Sequence, residues 1–259
     1  MGHAILITGA SSGIGYELAK VCGREKYNLV LVARREERLK TLQAELEAAH
    51  GIQVWTYRAD LTRAEERQQL FNWTQIQSIS IGGLINNAGF GDYGPFIETD
   101  WDKQDQMLQL NIVALTHLTR LFLPGMVERR QGKILNIAST AAFQPGPFMA
   151  VYFATKAYVM SFTNAIASEV EGTGVTATTL CPGPTESEFQ EISAMSKSKL
   201  IQGRKLPTSA EVAEYGYQTM QQGKRVAIHG FDNQVLAFIT RLLPNKLLTD
   251  MVRSMQSPA

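Results

Sequence analysis

Ala4-Ile5-Leu6-Ile7-Thr8-Gly9-Ala10-Ser11-Ser12-Gly13-Ile14-Gly15 sets four apolar residues directly ahead of a glycine-rich turn. An apolar run this short suits a strand buried on both faces of a parallel sheet. A helical pattern begins at Tyr16 and reaches about Glu25, so the order is strand, glycine turn, helix. In that setting the glycines divide the work of holding a dinucleotide. Gly9 permits the tight turn, Gly13 lets the backbone approach a pyrophosphate, and Gly15 lets the helix pack closely on the strand. The helix N-terminus then faces the anion. The spacing is Gly-x-x-x-Gly-x-Gly rather than the commoner Gly-x-Gly-x-x-Gly, and the competing reading is a glycine loop without a ligand.

Working outward, further strand-like runs lie at Asn28–Ala33, Gln53–Ala59, Gly83–Asn86, Lys133–Ala138, Val175–Leu180 and Arg225–His229. Helical patterns separate them, the longest running from Trp101 to about Met126, and another from about Tyr152 to Glu171. Strands alternating with helices predict an α/β chain: a single-domain Rossmann fold over 1–259 with a doubly wound, mostly parallel, seven-stranded sheet. Ligands of such sheets bind at the carboxyl ends of the strands. No repeat, linker or low-complexity segment interrupts the pattern.

Composition narrows the function class. Twenty-five basic and 24 acidic residues give a net charge of +1, which offers nucleic acid no electrostatic footprint. Cys22 and Cys181 suit buried thiols, not a disulfide framework, and His3, His50, His117 and His229 lack metal-ligand spacing, so no metal site is expected. The opening apolar run leads into the glycine turn instead of a cleavage site and is too short to span a bilayer. A soluble protein of a reducing, cytoplasmic compartment is the expectation.

Two further clusters carry chemistry. The second strand ends in Ala33-Arg34-Arg35, where an NAD-selective site would place a carboxylate for the ribose hydroxyls. Two guanidinium groups there suit a 2′-phosphate, which favours NADP; a solvated pair opening the next helix is the alternative. Tyr152 and Lys156 stand four apart on one helix face. An ammonium beside a phenol favours the phenolate, giving a side chain that can exchange a proton during reduction of a ketone. Ser139 closes a strand-like run and could polarise the same carbonyl oxygen.

With these residues in order, the chain resembles the short-chain dehydrogenase/reductase family over nearly its whole length. The motifs are Thr8 to Gly15, Asp60-Leu61, Asn86 to Gly89, Asn111, Ser139, Tyr152 with Lys156, and Pro182-Gly183 with Thr185. The resemblance implies a catalytic group of Asn111, Ser139, Tyr152 and Lys156. In it Tyr152 is the acid/base, Lys156 lowers its pKa and holds the nicotinamide ribose, Ser139 orients the carbonyl, and Asn111 holds a water in a proton relay. Cofactor contacts are implied at Gly9, Ser11, Ser12, Gly13, Ile14, Gly15, Arg34, Arg35, Asp60, Leu61, Asn87, Ala88, Gly89, Tyr152, Lys156, Pro182, Gly183 and Thr185. Asp60 would meet the adenine, Asn87 the adenosine ribose and Thr185 the carboxamide or pyrophosphate. The implied activity is NADP(H)-dependent hydride transfer between nicotinamide and a carbonyl or secondary alcohol. A non-catalytic NADP-binding regulator and an epimerase or dehydratase with bound NAD(P) are the alternatives.

The small-molecule substrate is less defined. Phe189, Ile192 and Met195 lie at roughly helical spacing within 184–207, which reads either as a lid over the site or as a surface helix docked on the core. A lid implies an apolar substrate: a ketone, a 3-oxoacyl chain or a sterol-like alcohol. The apolar tail from Val235 to the end at Ala259 has three readings, in descending order: packing on the lid, a subunit contact, contact with a membrane surface. The resemblance also implies a homodimer or homotetramer, formed through the helices around Leu108–Phe122 and Tyr152–Ala167.

Overall fold

The computed structural model describes residues 3–189, 193 and 206–257. Seven strands form one sheet in the order β3-β2-β1-β4-β5-β6-β7, every neighbouring pair parallel. They are β1 (Ala4–Thr8), β2 (Leu29–Ala33), β3 (Val54–Arg58), β4 (Ile81–Asn86), β5 (Gly132–Ile137), β6 (Val175–Cys181) and β7 (Val226–Ile228). β1 lies at the centre, with Ile7 in register with Leu31 on one side and Ile85 on the other. Its residues divide between the two layers of core: Ile5 and Ile7 join one apolar cluster, Ala4 and Leu6 the other. That is why its sequence is continuously apolar instead of alternating.

The crossovers are helical: α1 (Gly13–Arg24), α2 (Glu36–His50), α3 (Ala64–Ile76), α4 (Trp101–Leu108), α5 (Leu115–Glu128), α6 (Ala150–Glu169) and α7 (Ser209–Gln221). Between α4 and α5 the chain does not leave the helix; Gln109–Ala114 winds as a π-helix, so Trp101–Glu128 is continuous. Among the described residues this is the one helix long and apolar enough to cross a membrane by length and composition. Its Met107, Leu115, Leu118 and Phe122 are buried against other parts of the fold. The apolar tail folds into two helices, α8 (Phe231–Ile239) and α9 (Asn245–Gln256), with Leu248, Val252 and Gln256 buried.

One buried polar chain fixes the carboxyl ends of the central strands. Asn86 and Asn136 are register partners in β4 and β5. The Asn86 amide donates to Asn136 Oδ1 at 2.9 Å and to Thr119 Oγ1 of α5 at 3.2 Å. Asn136 in turn donates to Thr163 Oγ1 of α6 at 2.9 Å. Buried amides demand partners, and these partners hold both helices at a set height on the sheet.

Candidate active site

The glycine turn after β1 is shaped by Asn87, which follows β4. The Asn87 side-chain amide donates to the carbonyls of Thr8 (3.0 Å) and Gly9 (3.2 Å). Thr8 Oγ1 accepts from the backbone N–H groups of Asn87 and Ala88, both at 3.0 Å. Gly9 has φ +68°, and a Cβ there would lie 2.8 Å from the Asn87 amide nitrogen. A Cβ at Gly15 would meet that nitrogen at 2.3 Å and the Gly9 carbonyl oxygen at 2.4 Å. Bare backbone at both positions is what lets strand, turn and helix close together. Ser12 begins α1 without a side-chain cap, leaving the first-turn N–H groups for an incoming anion.

A cleft of about 800 Å³ runs along the carboxyl ends of the strands, from Arg34 and Asp60 at one end to Tyr152 and Phe189 at the other. It is lined by all the sequence-predicted residues except two. Gly15 packs behind the turn, and Asn111 stands behind the wall, so neither lines the cleft. Asn111 sits in the π-helical segment, where it accepts from Phe90 N (3.2 Å) and donates to Phe90 O (2.9 Å) and Thr155 Oγ1 (3.1 Å). It thereby ties the segment after β4 to α6. A Cβ at Gly89 would lie 2.9 Å from Asn111 Oδ1 and 3.6 Å from Lys156 Nζ, so that glycine keeps the passage beside the lysine open.

Tyr152 and Lys156 are both buried, one turn apart on α6. The Lys156 ammonium lies 5.7 Å from the Tyr152 ring centre and donates to the Ile137 carbonyl at 2.9 Å. Here the expectation of a lowered tyrosine pKa is corrected. Burial pushes the Tyr152 phenol up to about 12, opposed only by its hydrogen bond with Ser139. Burial also pulls Lys156 down to about 8, with the neighbouring Cys181 acting the other way. The lysine's hydrogen bond goes to the end of β5, and desolvation sets the direction of the phenol's shift. Ser139 is held by Pro182, whose carbonyl accepts from Ser139 Oγ at 3.3 Å and from Thr140 N at 2.8 Å.

At the other end, Arg34 lines the cleft and an adjoining notch with Arg58 and Arg63, and it makes no ion pair among the described residues. Arg35 is engaged: it donates to Ser11 Oγ (3.1 and 3.2 Å), to Ser12 Oγ (2.7 Å) and to Glu188 Oε2 (2.8 Å). Arg38 completes the cluster through Glu188 Oε1 at 2.5 Å. The two guanidinium groups pull the Glu188 carboxyl down to about 2. Asp60 Oδ1 accepts from Thr62 N and Thr62 Oγ1, and the Leu61 carbonyl accepts from the buried Arg67 at 2.7 Å. Thr185 Oγ1 donates to the Gly183 carbonyl at 2.9 Å.

Sequence reasoning missed Glu188, Arg38 and the walls supplied by α8 and α9. Nothing local marks Glu188, which is 153 residues from Arg35. The walls had a signal: Leu248, Met251, Val252 and Met255 repeat at helical spacing. Leu236, Val252, Met255 and Gln256 line the substrate end, and Tyr93 Oη donates to the Gln256 carbonyl at 2.5 Å. The tail is thus part of the cleft. Of the segment 184–207, Phe189 is described, its ring centre 5.4 Å from that of Tyr152; Ile192 and Met195 lie outside the described residues, and with them the question of a lid.

The residues present fit a nicotinamide dinucleotide: bare glycine backbone and hydroxyls at the turn, cations at the end of β2, and Tyr152, Lys156 and Ser139 at the far end of one cleft. Fold and site define a Rossmann-type dinucleotide-binding chain. The chain belongs to the short chain dehydrogenase family, whose model matches residues 3–197. It is 32% identical over 177 residues to a very-long-chain 3-oxoacyl-CoA reductase of Laccaria bicolor, covering 68% of this chain and 52% of that protein. The chain thus spans about half the length of that curated relative. Over the full fold it is similar to a short-chain dehydrogenase from Sphingobium yanoikuyae solved in complex with NADPH, at 30% identity and TM-score 0.83, covering 93% of this chain and 94% of that one. A bulky-bulky ketone specific alcohol dehydrogenase from Comamonas testosteroni aligns with TM-score 0.79 and 27% identity, covering 93% and 92% of the two chains.

Proposed function

We propose that the protein is an NADP(H)-dependent oxidoreductase acting on the carbonyl or secondary alcohol of an apolar substrate. The observation that carries this is the pairing of the buried Tyr152 with the half-buried Ser139 at one end of the cleft whose other end holds Arg34 and Arg35. Bound NADPH supplies the hydride. The chain supplies the proton and the field. A carbonyl oxygen seated between Ser139 Oγ and Tyr152 Oη receives two hydrogen bonds that strengthen as negative charge grows on it. A phenol raised to about 12 is protonated throughout the neutral range, so the ligand-free site stands ready as the acid for reduction. Lys156, charged below its depressed value of about 8, steadies the tyrosinate left behind.

The substrate end is apolar, walled by Phe90, Met149, Phe153, Phe189, Leu236 and Val252. That lining supports a bulky ketone or the 3-oxoacyl group of a long chain, in line with the names of the relatives. A screen of such ketones and 3-oxoacyl thioesters with NADPH and NADH, followed at the nicotinamide absorbance, tests the reading. Turnover of none of them, or turnover indifferent to the 2′-phosphate, overturns it. We also propose a cytoplasmic homodimer or homotetramer: Cys22 and Cys181 are free buried thiols, and Val113 and Tyr158 stand exposed on the two helices the family pairs. Light scattering that returns a single-chain mass near 28.7 kDa refutes the assembly.

A further inference from the structure

Glu188 lies just beyond β6, far in sequence from the glycine turn, yet its carboxylate sits on that turn's cationic rim. One oxygen takes Arg35 at 2.8 Å and the other takes Arg38 at 2.5 Å. Arg35 itself bridges to the hydroxyls of Ser11 and Ser12. The backbone follows the carboxylate, because a Cβ placed on Gly13 would come within 3.4 Å of Ser187 Cβ. A carboxylate and a phosphate monoester compete for the same guanidinium and hydroxyl donors, the phosphate bringing more charge and more acceptor oxygens.

We propose that Glu188 is a built-in stand-in for the 2′-phosphate of NADP, occupying the Arg35 and serine donors until the cofactor displaces it, and so setting how strongly the enzyme discriminates NADP from NAD. This rests on the reading of Ala33-Arg34-Arg35 as a 2′-phosphate site. Arg34 offers the first contact, since it has no ion pair among the described residues, and Arg35 becomes available only as Glu188 gives way. The discrimination is therefore smaller than two open arginines would give. Glu188 acts through Arg35 and touches no reacting atom, which makes it a positioning residue.

The consequence is selective. Removing the carboxylate's charge should tighten ligands that carry the 2′-phosphate and leave those without it almost unchanged. Both ion pairs are a third to a half exposed, so the gain is modest, roughly three- to tenfold. The experiment is calorimetric titration of the full chain and of Glu188→Gln with adenosine 2′,5′-bisphosphate and with 5′-AMP. Glu186→Gln, which removes an exposed carboxylate two residues away, is the control for general charge. A gain for the bisphosphate alone, seen in Glu188→Gln and not in Glu186→Gln, is the expected result. If the unaltered protein prefers the bisphosphate but Glu188→Gln shifts neither ligand, or both equally, the inference fails and the NADP reading stands. If the unaltered protein binds the two ligands equally, both fail.

Discussion

Replacing Lys156 by Met exposes what the buried lysine costs the fold. Its ammonium is buried, and its pKa falls from the ordinary 10.5 to about 8. The unfolded chain therefore binds a proton more tightly than the folded one does. A lysine shifted this way lowers stability below its folded pKa, and the deficit disappears as pH rises through the unfolded value. At pH 7 the deficit is about 3 kcal/mol, and at pH 10 it is below about 1 kcal/mol. Methionine removes the charge at similar volume but also the hydrogen bond to the Ile137 carbonyl, worth about 1–3 kcal/mol when the acceptor is left buried. The two terms nearly cancel at neutral pH, so Lys156→Met should be about as stable as the parent there. At pH 10 the loss outweighs what is left of the deficit, and the variant should be the weaker by up to about 2 kcal/mol. Urea titrations at both pH values, read by the fluorescence of the three tryptophans, measure this swing of about 2–3 kcal/mol. Tyr152 titrates above this window, between its ordinary value of 10 and about 12, and is common to both proteins. A stability difference that stays constant from pH 7 to pH 10 would refute the claim that burial dominates this site.

Three other substitutions test separate parts of the site. Tyr152→Phe should lower turnover by ~10²–10⁴-fold while NADPH still quenches intrinsic fluorescence at nearly the same concentration, and near-normal turnover would remove Tyr152 as the acid. Arg34→Ala should cut the NADPH-over-NADH affinity ratio by about ten- to a hundredfold; an unchanged ratio would place the discrimination elsewhere. Gly15→Ala pushes a methyl into the Gly9 carbonyl at 2.4 Å and should cost about 1–3 kcal/mol, so an unaltered urea midpoint would show that the turn is looser than described.

The glycine turn and the Tyr152–Lys156 pair were legible because each is a local pattern: the residues that meet are within a turn or two of one another. The strands were legible for the same reason, continuous apolar runs being what a two-faced parallel sheet requires. What escaped involves charge and distance. The Arg35–Glu188 pair joins segments 153 residues apart, and no spacing rule reaches that far. The direction of the Tyr152 shift escaped because a sequence shows the neighbouring lysine but not the burial that raises the phenol. The α9 wall escaped although its periodicity was present, because the same spacing serves packing on a neighbouring segment, a subunit contact or a membrane surface.

The π-helical segment at Gln109–Ala114 has a consequence for how this protein tolerates length changes. Each residue of a regular helix advances about 100° around the axis, and a π turn holds one residue more than an α turn. The extra residue resets the phase of the long helix. Upstream of it, Gln104 and Met107 are buried, Gln104 donating to Asp92 at 2.8 Å and Met107 packing with Met149 and Tyr152. Downstream, Leu118, Phe122 and Met126 face the sheet. Winding the same residues as a regular α-helix would turn the whole upstream stretch by about 100°, whereas deleting one residue between 109 and 114 lets the segment relax to α winding with the two flanking faces left in phase. In the rewound helix Asn111 would lose Phe90 and Thr155, and Met107 would leave its place beside Tyr152, although no residue of the Tyr152, Lys156 and Ser139 group had been altered. A one-residue deletion rotates one end of an ordinary helix against the other; in this helix, within 109–114, it removes the bulge and leaves the two ends facing as before.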